Sequence, residues 1–128
     1  MTDSPKPVVR VAILADDLIW STRLAGYVRA AGAEPLSARE VASFTVALDG
    51  ATLAIVDLTA RAYDGVDEVA RAAASGARVL AVGQHDDAQL RKRALAAGAE
   101  RVFAYRKLFE AGPRTLEAWL ASPVEASS

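Results

Sequence analysis

Short apolar runs alternate with amphipathic stretches five times along this chain, and that alternation restricts its fold more than any other feature. The first run, residues 8–15, is apolar at nearly every position, as a parallel strand covered on both faces should be. Runs over 34–36, 53–57, 78–82 and 101–104 read as the other strands, with Pro35 placing the second at a sheet edge. Helices are expected over 17–31, 39–48, 66–75, 87–97 and 113–121. In the first, Trp20, Leu24, Tyr27, Val28 and Ala31 repeat at helical spacing, and Gly32 stops it. Ser37 is placed to cap the second helix, and Pro113 to open the last, with Leu116, Trp119 and Leu120 facing inward. Five such units with short connections predict a doubly wound, five-stranded parallel sheet with helices on both faces.

Carboxylates stand where such a sheet places its sites. The third strand ends in Asp57, and the first runs directly into Asp16-Asp17. Open α/β sheets bind ligands outside the carboxyl ends of their strands. Three acids gathered there repel one another unless a hard divalent cation or shared protons offset the charge. The pattern predicts a small acidic pocket suited to Mg²⁺. Asp17 also stands where an N-cap of the first helix is needed, so cap and ligand remain open for it.

Composition removes several alternatives. There is no cysteine and one histidine, His85, which excludes disulfides, thiol chemistry and a multi-histidine metal site within the chain. A net charge of −1 offers no long-range attraction to nucleic acid. No apolar run approaches the roughly 20 residues that span a bilayer, and residues 1–7 lack a signal-peptide core. The expected organisation is a disordered leader at 1–7, one domain over 8–121 and a tail or linker start at 122–128, in a cytoplasmic protein.

Over residues 8–121 the chain resembles the receiver domain of bacterial response regulators, the CheY-like superfamily. The resemblance rests on the apolar strand before Asp16-Asp17, Asp57 at the end of the third strand, Asp64-Gly65 in the following loop, and Gly98-Ala99 before the last strand. It implies a flavodoxin-like three-layer sandwich with strand order 2-1-3-4-5. It implies Mg²⁺ held by Asp16, Asp17, Asp57 and the Thr59 backbone carbonyl, with Asp57 as possible phosphoacceptor from a sensor kinase. Phosphoryl transfer of that kind is mostly positioning and charge stabilisation.

The chain also departs from the family pattern. Ala60-Arg61 replaces the usual Met-Pro pair. Gly83 stands where a Ser or Thr normally contacts the phosphoryl group, Tyr105 where a lysine stands, Arg106 at the following proline, and Val102 at the switch aromatic. A one-residue insertion would instead offer Arg106 as the cation and Phe103 as the aromatic. Such a slip reverses which side chains face the site, and Arg is a poor stand-in for a lysine point charge. An atypical, pseudo-receiver variant is expected: no enzyme, but a module acting through a protein partner, either a sensor kinase or a downstream effector. A homodimer through the fourth helix and fifth strand is a further implication, with no nucleic-acid or membrane partner.

Elsewhere, His85 reads as a solvated loop residue and Asp86-Asp87 as a helix cap. Arg91-Lys92-Arg93 reads as a solvated charge run that would also suit an acidic partner, and Leu108-Phe109 as a partly exposed pair suited to a protein contact. The alternative function is a small-molecule or Mg²⁺-dependent phosphate-binding domain on the same topology. Against it, no Gly-rich phosphate loop follows the first strand.

Overall fold

The computed structural model describes residues 8–84 and 87–121. The leader expected at 1–7, the tail at 122–128, and His85 and Asp86 lie outside the described residues. Ten elements alternate: β1 Arg10–Leu14, α1 Leu18–Ala30, β2 Glu34–Ala38, α2 Val41–Asp49, β3 Leu53–Asp57, α3 Gly65–Ala74, β4 Arg78–Gly83, α4 Ala88–Ala97, β5 Ala99–Ala104 and α5 Tyr105–Ala121. The strands form one parallel sheet in the order β2-β1-β3-β4-β5. This is the expected doubly wound architecture.

Strand periodicity divides the core into two layers. Val11, Ile13, Ile55, Leu80 and Val82 face the side covered by α1 and α5, where they meet Leu24, Val28, Leu108, Leu116 and Trp119. Ala12, Leu14, Ala54, Val56, Val79 and Ala81 face the other side, against Phe44, Val69, Ala72 and Ala94 from α2, α3 and α4. Trp20, Tyr27 and Ala31 of the α1 stripe are only partly buried but pack on the first layer. β2 pairs with β1 alone, so Pro35 sits on an edge strand where its missing N–H is tolerated.

Three local expectations need correction. Ser37 does not cap α2: it lies within β2, opposite Ile13, and Glu40 occupies the N-cap without a side-chain bond. β5 begins at Ala99, directly after Gly98 ends α4, and a bulge at Glu100 separates the pairs Val79–Ala99 and Leu80–Arg101. Glu100 is anchored by Arg78 Nε and Nη2 at 3.0–3.2 Å and by Trp119 Nε1 at 3.0 Å.

The last helix starts at Tyr105 rather than at residue 113, with a break in helical geometry at Ala111 (φ −149°, ψ 38°). Pro113 therefore lies in the first turn of the segment that restarts after the break, where its ring and missing N–H are tolerated. Gly112 is required beside it, because a Cβ there would come within 2.8 Å of the Tyr27 ring.

Because the chain crosses from β2 back over β1 to β3, the ends of β1 and β3 lie side by side at the switch point of the sheet. There Gly65, at the start of α3, is also constrained, since a Cβ would lie 2.8 Å from Leu58 Cα. Asp64 caps that helix through the Asp67 amide at 3.1 Å. The Asp-Gly pair thus has a structural reason: it turns the chain tightly behind Asp57.

Candidate functional site

Asp16, Asp17, Asp57 and Tyr105 all line one pocket of about 530 Å³, together with Trp20, Thr59, Arg61 and Gln84. Asp57 is the innermost, with only 1% of its surface exposed. Both of its carboxylate oxygens are engaged. Oδ1 accepts the Thr59 amide at 2.9 Å, and Oδ2 accepts the Tyr105 hydroxyl. Nearby, Tyr63 shares its single hydroxyl proton between the carbonyls of Leu14 (3.1 Å) and Asp57 (2.9 Å), so it bridges the ends of β1 and β3.

The other two acids serve the backbone. Asp16 Oδ2 accepts the amides of Arg61 (3.0 Å) and Ala62 (3.1 Å), tying the β1–α1 turn to the loop after β3. Arg39 donates to the Asp16 carbonyl from the other side. Asp17 is the N-cap of α1, accepting the Trp20 amide at 3.0 Å.

Electrostatics follow from this packing. Burial pushes the Asp57 carboxyl above its ordinary range, the bonds from Tyr105 and Thr59 pull it back, and the nearby charges of Asp16 and Asp17 push it up again. The Tyr105 phenol is also held well above its usual value, by burial first and then by its bond to Asp57. Burial beside Asp57 does the same to Tyr63. Tyr105 is therefore neutral and donates its proton to Asp57 Oδ2.

A Mg²⁺ cage was expected from Asp16, Asp17, Asp57 and the Thr59 carbonyl. The three acids share the pocket, but each commits an oxygen to a hydrogen bond within the protein, and Asp57 commits both. Among the described residues, no group of three or more His, Cys, Asp or Glu is placed to hold a metal ion.

The departures from the receiver pattern each have a definite place. Tyr105 lies over Asp57 and stacks on Trp20, with ring centroids 3.9 Å apart and 16° between planes. Arg23 covers the outer face of Trp20 at 5.4 Å and meets Phe109 at 5.1 Å. Gly83 ends β4 beside Thr59, whose hydroxyl would lie 3.6 Å from a Cβ added there. That hydroxyl accepts the Gln84 amide at 2.7 Å.

Val102 is buried in the layer under α4, and its carbonyl accepts Arg91 Nη1 at 2.8 Å. Arg106, weighed as an alternative cation, is 86% exposed and pairs with Glu110 on its own helix. Phe103 faces the α1–α5 layer. Of the charge run, Lys92 and Arg93 are exposed as expected. Asp87 caps α4 through the Leu90 amide, while Leu108 is buried and Phe109 is 65% exposed.

Sequence reasoning missed Tyr63, the Trp20–Tyr105 stack and the Thr59–Gln84 bond. Only Tyr63 carried a readable sign, an aromatic residue in the short loop directly before Asp64-Gly65.

No family model matches the sequence, and no curated protein matches it. Solved structures do. A response regulator from Thermotoga maritima superposes with a TM-score of 0.78 at 13% identity, over 91% of this chain and 100% of that one. The receiver domain of a DNA-binding response regulator from Colwellia psychrerythraea gives 0.76 at 19%, over 89% and 99%. A Burkholderia pseudomallei response regulator with a phosphorylated aspartic acid, calcium ion and citrate gives 0.65 at 17%, over 91% and 76%. The strand order, the helices on both faces and these superpositions agree: the chain has the CheY-like receiver-domain fold of the response regulators.

Proposed function

We propose that this chain is an atypical receiver-fold signalling module that acts through contact with a protein partner and holds Asp57 by an internal clamp rather than cycling it through phosphorylation. The observation that carries this reading is the Tyr105 hydroxyl on Asp57 Oδ2, roofed by Trp20. A lysine there would bring a positive charge to a phosphoryl group. A phenol brings one hydrogen bond and no charge, so this position adds nothing to offset new negative charge beside Asp16 and Asp17.

Three further features support the same reading. Gly83 has no hydroxyl to follow a phosphoryl oxygen. The Thr59 hydroxyl already ties down the Gln84 amide without any ligand. Val102 has no ring to swing between positions and is packed under α4. A ligand shifts an equilibrium only by its differential contacts with two states, and these residues offer few. The Burkholderia pseudomallei structure carries a phosphorylated aspartic acid and a calcium ion; in this chain Asp57 accepts from Thr59 and Tyr105, and Asp16 from Arg61 and Ala62. Mg²⁺ binding is accordingly weak in this reading, and the chain is not an enzyme.

The test is exposure of the full chain to acetyl phosphate with Mg²⁺, read by intact mass and by tryptophan fluorescence. Wild type is expected to gain no phosphoryl group, and the Gly83→Thr/Tyr105→Lys double variant to gain one that Asp57→Asn abolishes. Near-stoichiometric phosphorylation of wild type on Asp57 would overturn the clamp. Metal-dependent turnover of acetyl phosphate without an adduct would favour the small-molecule reading.

A further inference from the structure

Away from the Asp57 pocket, a second concave site of about 530 Å³ lies between β5 and α5. Cavities that take small organic ligands span roughly 300–1,000 Å³, so its size suits one. Its charged lining is entirely basic: Arg101 from β5, Lys107 before the break in α5 and Arg114 after it. No carboxylate of the described residues lines it. Glu100, the neighbour of Arg101, is turned instead to Arg78 and the Trp119 indole.

Among the described residues, none of these three cations makes a salt bridge, whereas Arg10, Arg71, Arg78 and Arg106 each pair with a glutamate. In a chain of net charge −1, three positive charges gathered around one concavity without an ionic partner have a polyvalent anion as their complement. Two of them are arginines, whose forked donors match phosphate oxygens two at a time. The third, Lys107, carries its charge on a flexible stem and places Nζ 5.9 Å from the Phe103 ring centroid. The uncharged part of the lining suits a flat group. Phe103 is half-buried and contributes its ring, and aromatic rings stack on nucleobases of every kind. Trp119 is a fixed wall behind it, buried, with its indole N–H on Glu100 and Arg78 5.5 Å from its ring centroid. The small side chains of Ala111 and Ala118 leave the space between open.

We propose that this site binds a nucleotide, its phosphates held by Arg101, Lys107 and Arg114 and its base laid against Phe103. A phosphate chain concentrates several negative charges in one small ligand, and a base supplies the planar face that the phenyl ring complements. The protein's own cations offset the phosphate charge, so binding here needs no metal. The inference goes beyond the protein-contact reading above and does not depend on the state of Asp57.

The probe is methylanthraniloyl-labelled ATP, titrated by anisotropy into the full chain at low salt, with EDTA present so that no metal brings its phosphates to the acidic pocket. Saturable binding is expected. Unlabelled ATP should reverse it, and tripolyphosphate or adenosine should compete about tenfold less well, since neither carries both phosphates and base. Arg101→Gln/Arg114→Gln should weaken binding about tenfold or more, as the loss of two charged phosphate contacts implies. Phe103→Leu keeps an apolar side chain and should weaken it about fivefold through lost stacking. If that variant does not fold, the tripolyphosphate comparison tests the same contact. Lys92→Gln/Arg93→Gln on α4 removes the same charge elsewhere and should leave affinity within about twofold, a change too small for a lost phosphate contact. Binding should persist in Asp57→Asn, so failure of the clamp would not mimic failure of this site. Absence of saturation, equal loss in the two charge variants, or tripolyphosphate competing as well as ATP would each overturn the proposal.

Discussion

Replacing Tyr105 with phenylalanine removes one hydroxyl and leaves the ring on Trp20, so it isolates the bond to Asp57. A hydrogen bond to a charged acceptor contributes roughly 1.5–3 kcal/mol, and a neutral one about 0.5–1.5 kcal/mol. The pocket is open enough for water to take over part of the bond, which places the expected loss near the lower end, about 1.5 kcal/mol at pH 7. For a domain of this size that lowers Tm by about 5 °C.

The pH dependence follows from linkage. The Tyr105 bond holds the Asp57 carboxyl down against burial, so its removal raises that folded-state value further. A folded-state value raised above the unfolded one contributes stability that is present at low pH and lost as pH rises through it. The variant therefore loses most where Asp57 is ionised, and recovers towards wild type as pH falls and the carboxyl protonates. Urea unfolding followed by circular dichroism at pH 7 and at acid pH measures both numbers. A double-mutant cycle with Asp57→Asn should return a coupling above about 0.5 kcal/mol, the level at which additivity fails for contacting residues. A loss at pH 7 that is indistinguishable from zero, or one that stays constant with pH, would refute the clamp.

Other outcomes are equally specific. Asp57→Asn removes a buried carboxylate disfavoured by burial and by Asp16 and Asp17, so it should raise the urea midpoint at pH 7, with the difference fading as pH falls through the Asp57 value. Gly112→Ala forces a Cβ against the Tyr27 ring at 2.8 Å and should cost about 1–3 kcal/mol by thermal unfolding, with Tyr27→Ala partly suppressing the loss. Glu100→Ala leaves Arg78 and the Trp119 indole without their shared acceptor and should cost about 1–3 kcal/mol in denaturant unfolding. Mg²⁺ titration should leave tryptophan fluorescence flat, because the oxygens beside Trp20 are committed to amides; a saturable change that needs Asp57 would contradict this.

The layer architecture was legible because it depends on local chemistry. Fully apolar runs such as 53–56 cannot face water on either side, and glycines after α1, α3 and α4 take the positive φ that ends a helix. Asp57 and Asp16-Asp17 were legible for the same reason, since strand ends and caps follow from sequence spacing. The first half of α5 was not legible, because its helix continues directly from β5 without a stop signal and Pro113 imitates a helix start. The bulge at Glu100 was hidden as well, since it depends on Arg78 and Trp119 reaching the same carboxylate from distant segments.

Sequence by itself determined that this chain folds as a parallel α/β sheet with acids at one edge. Only the tertiary structure decided what those acids do. Which oxygen meets an amide, a phenol or a neighbouring loop depends on contacts across 45 to 48 residues of chain, as between Asp16 and Arg61 or Asp57 and Tyr105. Periodicity records which way a residue faces, but a hydrogen bond between distant segments forms only once packing has fixed both partners, as it has for the Tyr105 hydroxyl and Asp57.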